Sequence, residues 1–154
     1  MYAVVMKSNI GNNFSIDKEK IKEFALENNV KFIVLFGSFA FGKNKEKSDI
    51  DIALYLNGNQ LVFKNFPAYS KILAGLTEIF SASDKIIDIV DLKTANILLR
   101  FEITSRGKLL YGDEIDYENY KSFAFRDYTD AKKLFELEDS LIKKRQKQIA
   151  NILK

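Results

Sequence analysis

Apolar residues come in two rhythms along this chain. Residues 30 to 36 are apolar except for Lys31, and residues 49 to 56 become apolar once Asp49 and Asp51 are passed. Runs this short and this apolar predict strands covered on both faces. Lys85 to Leu92 reads as a third strand and Lys108 to Tyr111 as a short edge strand. Between them the spacing lengthens to that of helices. The stripe Ile21, Phe24, Ala25 and Leu26 predicts a helix over 17 to 28, capped by Ser15 or Asp17. Tyr69, Ile72, Leu73, Leu76, Ile79 and Phe80 predict a second over 66 to 80, with Pro67 in its first turn. A third is expected over 95 to 105, capped by Thr94 and closed by Gly107. From Tyr117 to the end one long helical pattern, or two helices with a kink, carries Tyr120, Ala124, Tyr128, Ala131, Phe135, Ile142, Ile149 and Ile152. Residues 2 to 6 suit a short strand or an ordered tail equally well.

The order of elements predicts an α/β (α+β) fold, a sheet flanked by helices with a long C-terminal helix. No repeat or linker divides the 154 residues, so a single domain is expected. Its core would span about 17 to 112 and its C-terminal helical segment about 117 to 152.

Composition narrows the chemistry more than the fold. There is no cysteine and no histidine, which removes thiol nucleophiles, Cys/His zinc sites and every Ser-His-Asp scheme. Any catalysis must run on carboxylates, hydroxyls, Lys, Arg and bound metal. No stretch has the length of a membrane span and Tyr2 to Met6 is too short for a signal-peptide core; a cytoplasmic protein is expected. The net charge of +3 is too small to announce a nucleic-acid binder. After Asp139, however, only Lys143, Lys144, Arg145, Lys147 and Lys154 are charged. These cations suit the C-terminal end of a helix dipole, or a docking surface for an acidic partner.

The chemistry gathers between residues 37 and 51. Gly37-x4-Gly42-Lys43 approaches a phosphate-binding P-loop, but Asn44 stands where Ser or Thr would hold Mg²⁺ and no apolar helix face follows. A different pairing accounts for more of the sequence. Gly37 and Ser38 follow the first strand, where a turn offers backbone N–H groups and a hydroxyl to phosphate oxygens. Asp49 and Asp51 head the second strand and share one of its faces, while Ile50 and Ile52 take the other. Two such carboxylates repel unless cations hold them, and Mg²⁺ with its preference for oxygen ligands fits. A third acid is expected on the third strand. Asp88, between Ile87 and Ile89, is the choice, because a mid-strand carboxylate is expensive unless something holds it. Asp91, near the strand end, reads as a solvated terminus or a cap.

With Gly37-Ser38, Asp49-Ile-Asp51 and Ile87-Asp88-Ile89-Val90 in place, the chain resembles the DNA polymerase β nucleotidyltransferase superfamily. It is most similar to the minimal nucleotidyltransferases (MNT domains), especially the MntA-like antitoxins of HEPN–MNT pairs. Leu98 to Ile103, with Arg100, and Gly107 to Tyr111 belong to the same likeness, as does the C-terminal helix from about Tyr117. Phe41 stands where family members often carry Arg. The resemblance implies a mixed nucleotidyltransferase sheet and nucleotide phosphates held by Gly37 and Ser38. It further implies two Mg²⁺ ions bound by Asp49, Asp51 and Asp88, with Asp88 helping to deprotonate the acceptor. AMP would pass from ATP to a tyrosine hydroxyl of a partner HEPN-domain ribonuclease toxin, with no membrane or direct nucleic-acid contact. Transfer to a small-molecule hydroxyl, aminoglycoside-like, or a non-catalytic binding antitoxin are the other functions kept open.

Overall fold

The computed structural model describes residues 16–42, 48–82 and 86–152. Ser15, residues 2 to 6, the 43–47 segment and Lys154 lie outside these, so the expectations placed on them are not addressed. The element order is α1 (Lys18–Glu27), β1 (Val30–Phe36), α2 (Gly37–Ala40), β2 (Ile50–Leu56), α3 (Phe66–Ile79), β3 (Ile87–Asp91), α4 (Ile97–Arg106), β4 (Lys108–Tyr111) and α5 (Glu114–Ile152). The four strands form one mixed sheet in the order β3-β2-β1-β4. β1 runs antiparallel to both β2 and β4, whereas β2 and β3 are parallel and joined through α3. β4 is thus the edge strand that its length suggests.

Alternation along the strands sorts side chains into two cores. Ile33, Leu35, Ile50, Ile52, Leu54 and Ile87 turn to one face and pack with Ile21 and Phe24 of α1 and Ile72 and Leu76 of α3. Phe32, Val34 and Ala53 turn to the other and pack with Ile103 of α4 and Tyr117 of α5. Leu26, expected on the inner stripe of α1, is 61% exposed and points to water. Asp17 caps that helix, accepting from the backbone N–H of Glu19 and Lys20 at 3.0 and 3.4 Å.

Two helix ends differ from expectation. Asn96, not Thr94, caps α4 by accepting from the Leu99 N–H at 2.8 Å. Thr94 is instead drawn into the turn that closes β3, where its N–H and hydroxyl donate to the Asp91 carbonyl at 3.1 and 3.4 Å. Gly107 ends α4 with an extended φ of −70°, not a left-handed one. It is glycine for want of space: a β-carbon there would lie 2.5 Å from both the Ile103 carbonyl oxygen and Cγ1 of Val34.

α5 is one helix of 39 residues, about 58 Å long at 1.5 Å per residue. It begins at Asp113, whose carboxylate accepts from the Asp116 N–H at 2.9 Å. Its first part crosses the sheet: Tyr117 and Tyr120 rest on Phe32, and the Tyr120 hydroxyl donates to the Leu92 carbonyl at 2.8 Å. α4 lies alongside, with Phe101 stacked on Tyr128 at 4.1 Å. Arg100 joins the two helices, donating to Asp127 at 3.1 Å and to the Ala95 carbonyl at 3.0 Å. Phe123 and Phe125, on the outer side of the same stretch, are 43% and 57% exposed.

Candidate active site

The site forms where β1 ends and β2 begins. Phe36, the last residue of β1, is the register partner of Asp51. The chain then turns at Gly37 with φ +66°, a left-handed conformation that glycine takes without steric cost. Phe39 and Ala40 of α2 are buried and pin the turn to the sheet, leaving Gly37 and Ser38 half-exposed. A β-carbon on Gly37 would lie 2.0 Å from Oδ2 of Asp51. The glycine turn and the carboxylate are therefore in direct contact, and only hydrogen at Gly37 permits it. Gly42, two residues past the end of α2, has a left-handed φ of +64°.

The acids assemble from two neighbouring strands. Asp51 and Asp88 are partners in the parallel pairing of β2 with β3. Asp51 projects to the face of Ala53, opposite Ile50 and Ile52. Asp49, just before β2, is exposed, and so is Asp88. Partial burial, then the charges of Asp88 and Asp49, push the Asp51 carboxyl above its ordinary value. Asp49 and Asp88 are thus both within electrostatic reach of Asp51.

The third strand carries a correction. The mid-strand carboxylate expected to be costly, Asp88, is exposed, while Asp91, expected as a solvated terminus or a cap, is 2% exposed and caps the turn after β3. Half-buried Val90 packs under α4 and α5, but that cover does not extend to Asp88. Asp91 lies beneath the loop after β2, where its carboxylate accepts from the N–H groups of Val62 and Lys93 at 2.8 and 2.9 Å. It is a fold-stabilising acid. The signal that could have found it is the polar loop at 57 to 65, whose backbone donors need acceptors on closing over a strand end.

Whether a metal suits these residues can be judged from the donors. They are carboxylate oxygens, with a serine hydroxyl beside them, the set that Mg²⁺ prefers. Among the described residues no three acidic side chains are already gathered closely enough to grip an ion. The upward push on Asp51 comes first from its burial and then from the charges of Asp88 and Asp49, which a bound cation would offset. The residues fit a divalent cation in the type of donor they offer.

Comparison with known proteins shows the family and the fold. The sequence profile described as polymerase beta, nucleotidyltransferase matches residues 19–116, from α1 into the start of α5. The chain belongs to the polymerase beta nucleotidyltransferase family. Among family members, the protein adenylyltransferase MntA of Aphanizomenon flos-aquae is 37% identical over 93 residues, 56% of this chain. The matched segment spans 62% of that relative's length. A toxin–antitoxin crystal structure with AMP-PNP superposes with a TM-score of 0.65 at 26% identity, covering 82% of this chain and 99% of its own. A complex of the tri-AMPylated Shewanella oneidensis HEPN toxin with its MNT antitoxin gives 0.59 at 25% identity, covering 81% and 95%. Phe41, the residue after α2, is 47% exposed. Among the described residues no helix is long and apolar enough to cross a membrane.

Proposed function

We propose that this chain is a single-domain, Mg²⁺-dependent nucleotidyltransferase that transfers AMP from ATP to a tyrosine hydroxyl of a HEPN-domain toxin, silencing it in the cytoplasm. The observation that carries the reading is the contact of the Gly37 turn with Asp51, itself in register with Asp88. In this reading the turn that holds phosphate and the acids that hold metal belong to one site. The toxin as acceptor rests on the likeness to MntA and to HEPN–MNT complexes.

In this reading the Gly37 and Ser38 N–H groups and the Ser38 hydroxyl hold the β- and γ-phosphates. Two Mg²⁺ ions on Asp49, Asp51 and Asp88 would neutralise phosphate charge and lower the acceptor's pKa. The acceptor oxygen forms a bond to the α-phosphorus, the bond from that phosphorus to the bridging oxygen breaks, and pyrophosphate leaves with the electron pair. Asp88 helps take the hydroxyl proton, because it is the most open of the strand-borne acids. The product is a phosphodiester between tyrosine and AMP.

ATP labelled at the α-phosphate should mark the toxin, and ATP labelled at the γ-phosphate should not, its label leaving in pyrophosphate. Label from the γ position on the toxin, or none from either, would defeat the proposal. Gly37→Ala should lower transfer by about 100-fold, the usual consequence of misplacing a catalytic group by about 1 Å. The added methyl group must displace the Asp51 carboxylate. Steady-state kinetics beside a thermal melt would show a loss of rate out of proportion to the loss of stability.

A further inference from the structure

The distal half of α5 has no cover in this fold. Every described residue from 136 to 152 is exposed, yet Leu137, Leu141, Ile142, Ile149 and Ile152 are 56, 57, 49, 50 and 81% exposed apolar side chains on it. A long helix with an apolar stripe gains most of its stability from packing that stripe, not from propensity. The stripe has a register. Tyr128, Phe135, Ile142 and Ile149 recur every seventh residue, with Ala131, Glu138, Arg145 and Ile152 three further on. That is the spacing of the two seam positions of a coiled coil.

Charge divides the same segment into unlike halves. Residues 128 to 139 hold Asp130, Glu136, Glu138 and Asp139 against Lys132 and Lys133, whereas residues 140 to 152 hold Lys143, Lys144, Arg145 and Lys147 and no acid. A helix charged in this way is complementary to itself, end for end.

We propose that this half of α5 pairs with the same segment of a second copy of the chain, antiparallel, about a two-fold axis near Ser140. In that register Ile142 meets Glu138 of the second copy, Ile149 meets Ala131, and the stem of Arg145 lies on Phe135. Glu138 then has Arg145 of the second copy one layer away, so both charged seam positions are matched, and charged seam positions fix register. A parallel pair would set Lys143, Lys144, Arg145 and Lys147 against their own copies, which like-charge repulsion opposes. The surface is isologous, as a two-fold dimer requires. This inference is independent of the proposed reaction.

Sedimentation of the full chain alone, at low salt and rising concentration, should approach twice 17.7 kDa. Lys144→Glu with Arg145→Glu should weaken the dimer at least about tenfold, as like-charge contacts do. Glu138→Lys with Asp139→Lys should do the same, and mixing the two variants should restore a one-to-one dimer. In this otherwise cysteine-free chain, Leu141→Cys, beside the axis, should oxidise to a covalent dimer while Ile152→Cys, at the far end, should not. A chain monomeric up to its solubility limit would overturn the proposal. So would variants that stay apart on mixing, cross-linking at Ile152→Cys as fast as at Leu141→Cys, or a toxin occupying this face in place of the second copy.

Discussion

Asp49→Asn combined with Asp51→Asn should abolish nucleotidyl transfer, a fall of at least about 1,000-fold, while the protein stays folded. Several kcal/mol of transition-state stabilisation through bound Mg²⁺ correspond to a loss of that order. Stability should move the other way. Burial and the charges of Asp88 and Asp49 raise the Asp51 carboxyl above its reference value of 3.8. The folded state therefore keeps that proton to higher pH than the unfolded chain does. Stability from protonated Asp51 is present below 3.8 and is lost as pH rises through the folded value. At neutral pH without metal the double variant, free of this repulsion, should melt a few degrees higher than the parent. The gap should shrink as the solution is acidified and the parent regains its proton. Thermal melts at neutral and acid pH, each with and without Mg²⁺, measure both parts. A double variant that transfers AMP normally would remove the acids from the site.

The second large effect separates two aspartates three residues apart. Asp88→Asn should cost about as much activity as the double variant and little stability, because its side chain is exposed and is the register partner of Asp51. Asp91→Asn should do the reverse. Its carboxylate is buried and accepts two backbone N–H groups. An amide can accept only one of these well and turns an NH₂ toward the other, which costs about 1–3 kcal/mol. Activity per folded molecule should be nearly unchanged. Denaturant melts beside turnover numbers decide it, and activity lost at Asp91 but kept at Asp88 would move the third acid.

How much of this was legible depended on whether a feature is local. The strand 30 to 36 was readable to the residue because a nearly continuous apolar run has no other use in a small α/β domain. Asp51 facing away from Ile50 and Ile52 follows from the pleat alone. The choice of Asp88 over Asp91 named the residue that lies beside Asp51, but through an inverted picture of burial. Which end of β3 is covered depends on where the 57 to 65 loop and α4 land, and neither is written in the strand. Thr94 and Asn96 are both capping residues within one turn, and only the turn at Asp91 decides between them. Gly37 looked like a turn residue; that it also clears room for a carboxylate arises from the pairing of β1 with β2. The seven-residue repeat in the distal part of α5 was present in the sequence, but its exposure appears only in the structure, where every described residue from 136 to 152 is exposed.

The most direct measurement of the central claim is the intact mass of a HEPN-domain toxin incubated with this protein, ATP and Mg²⁺. The toxin should gain whole adenylyl increments, mapping to tyrosine, with the parent protein and none with Asp49→Asn, Asp51→Asn. A toxin of unchanged mass while stably bound to the parent protein, or one modified equally by the double variant, would contradict the account.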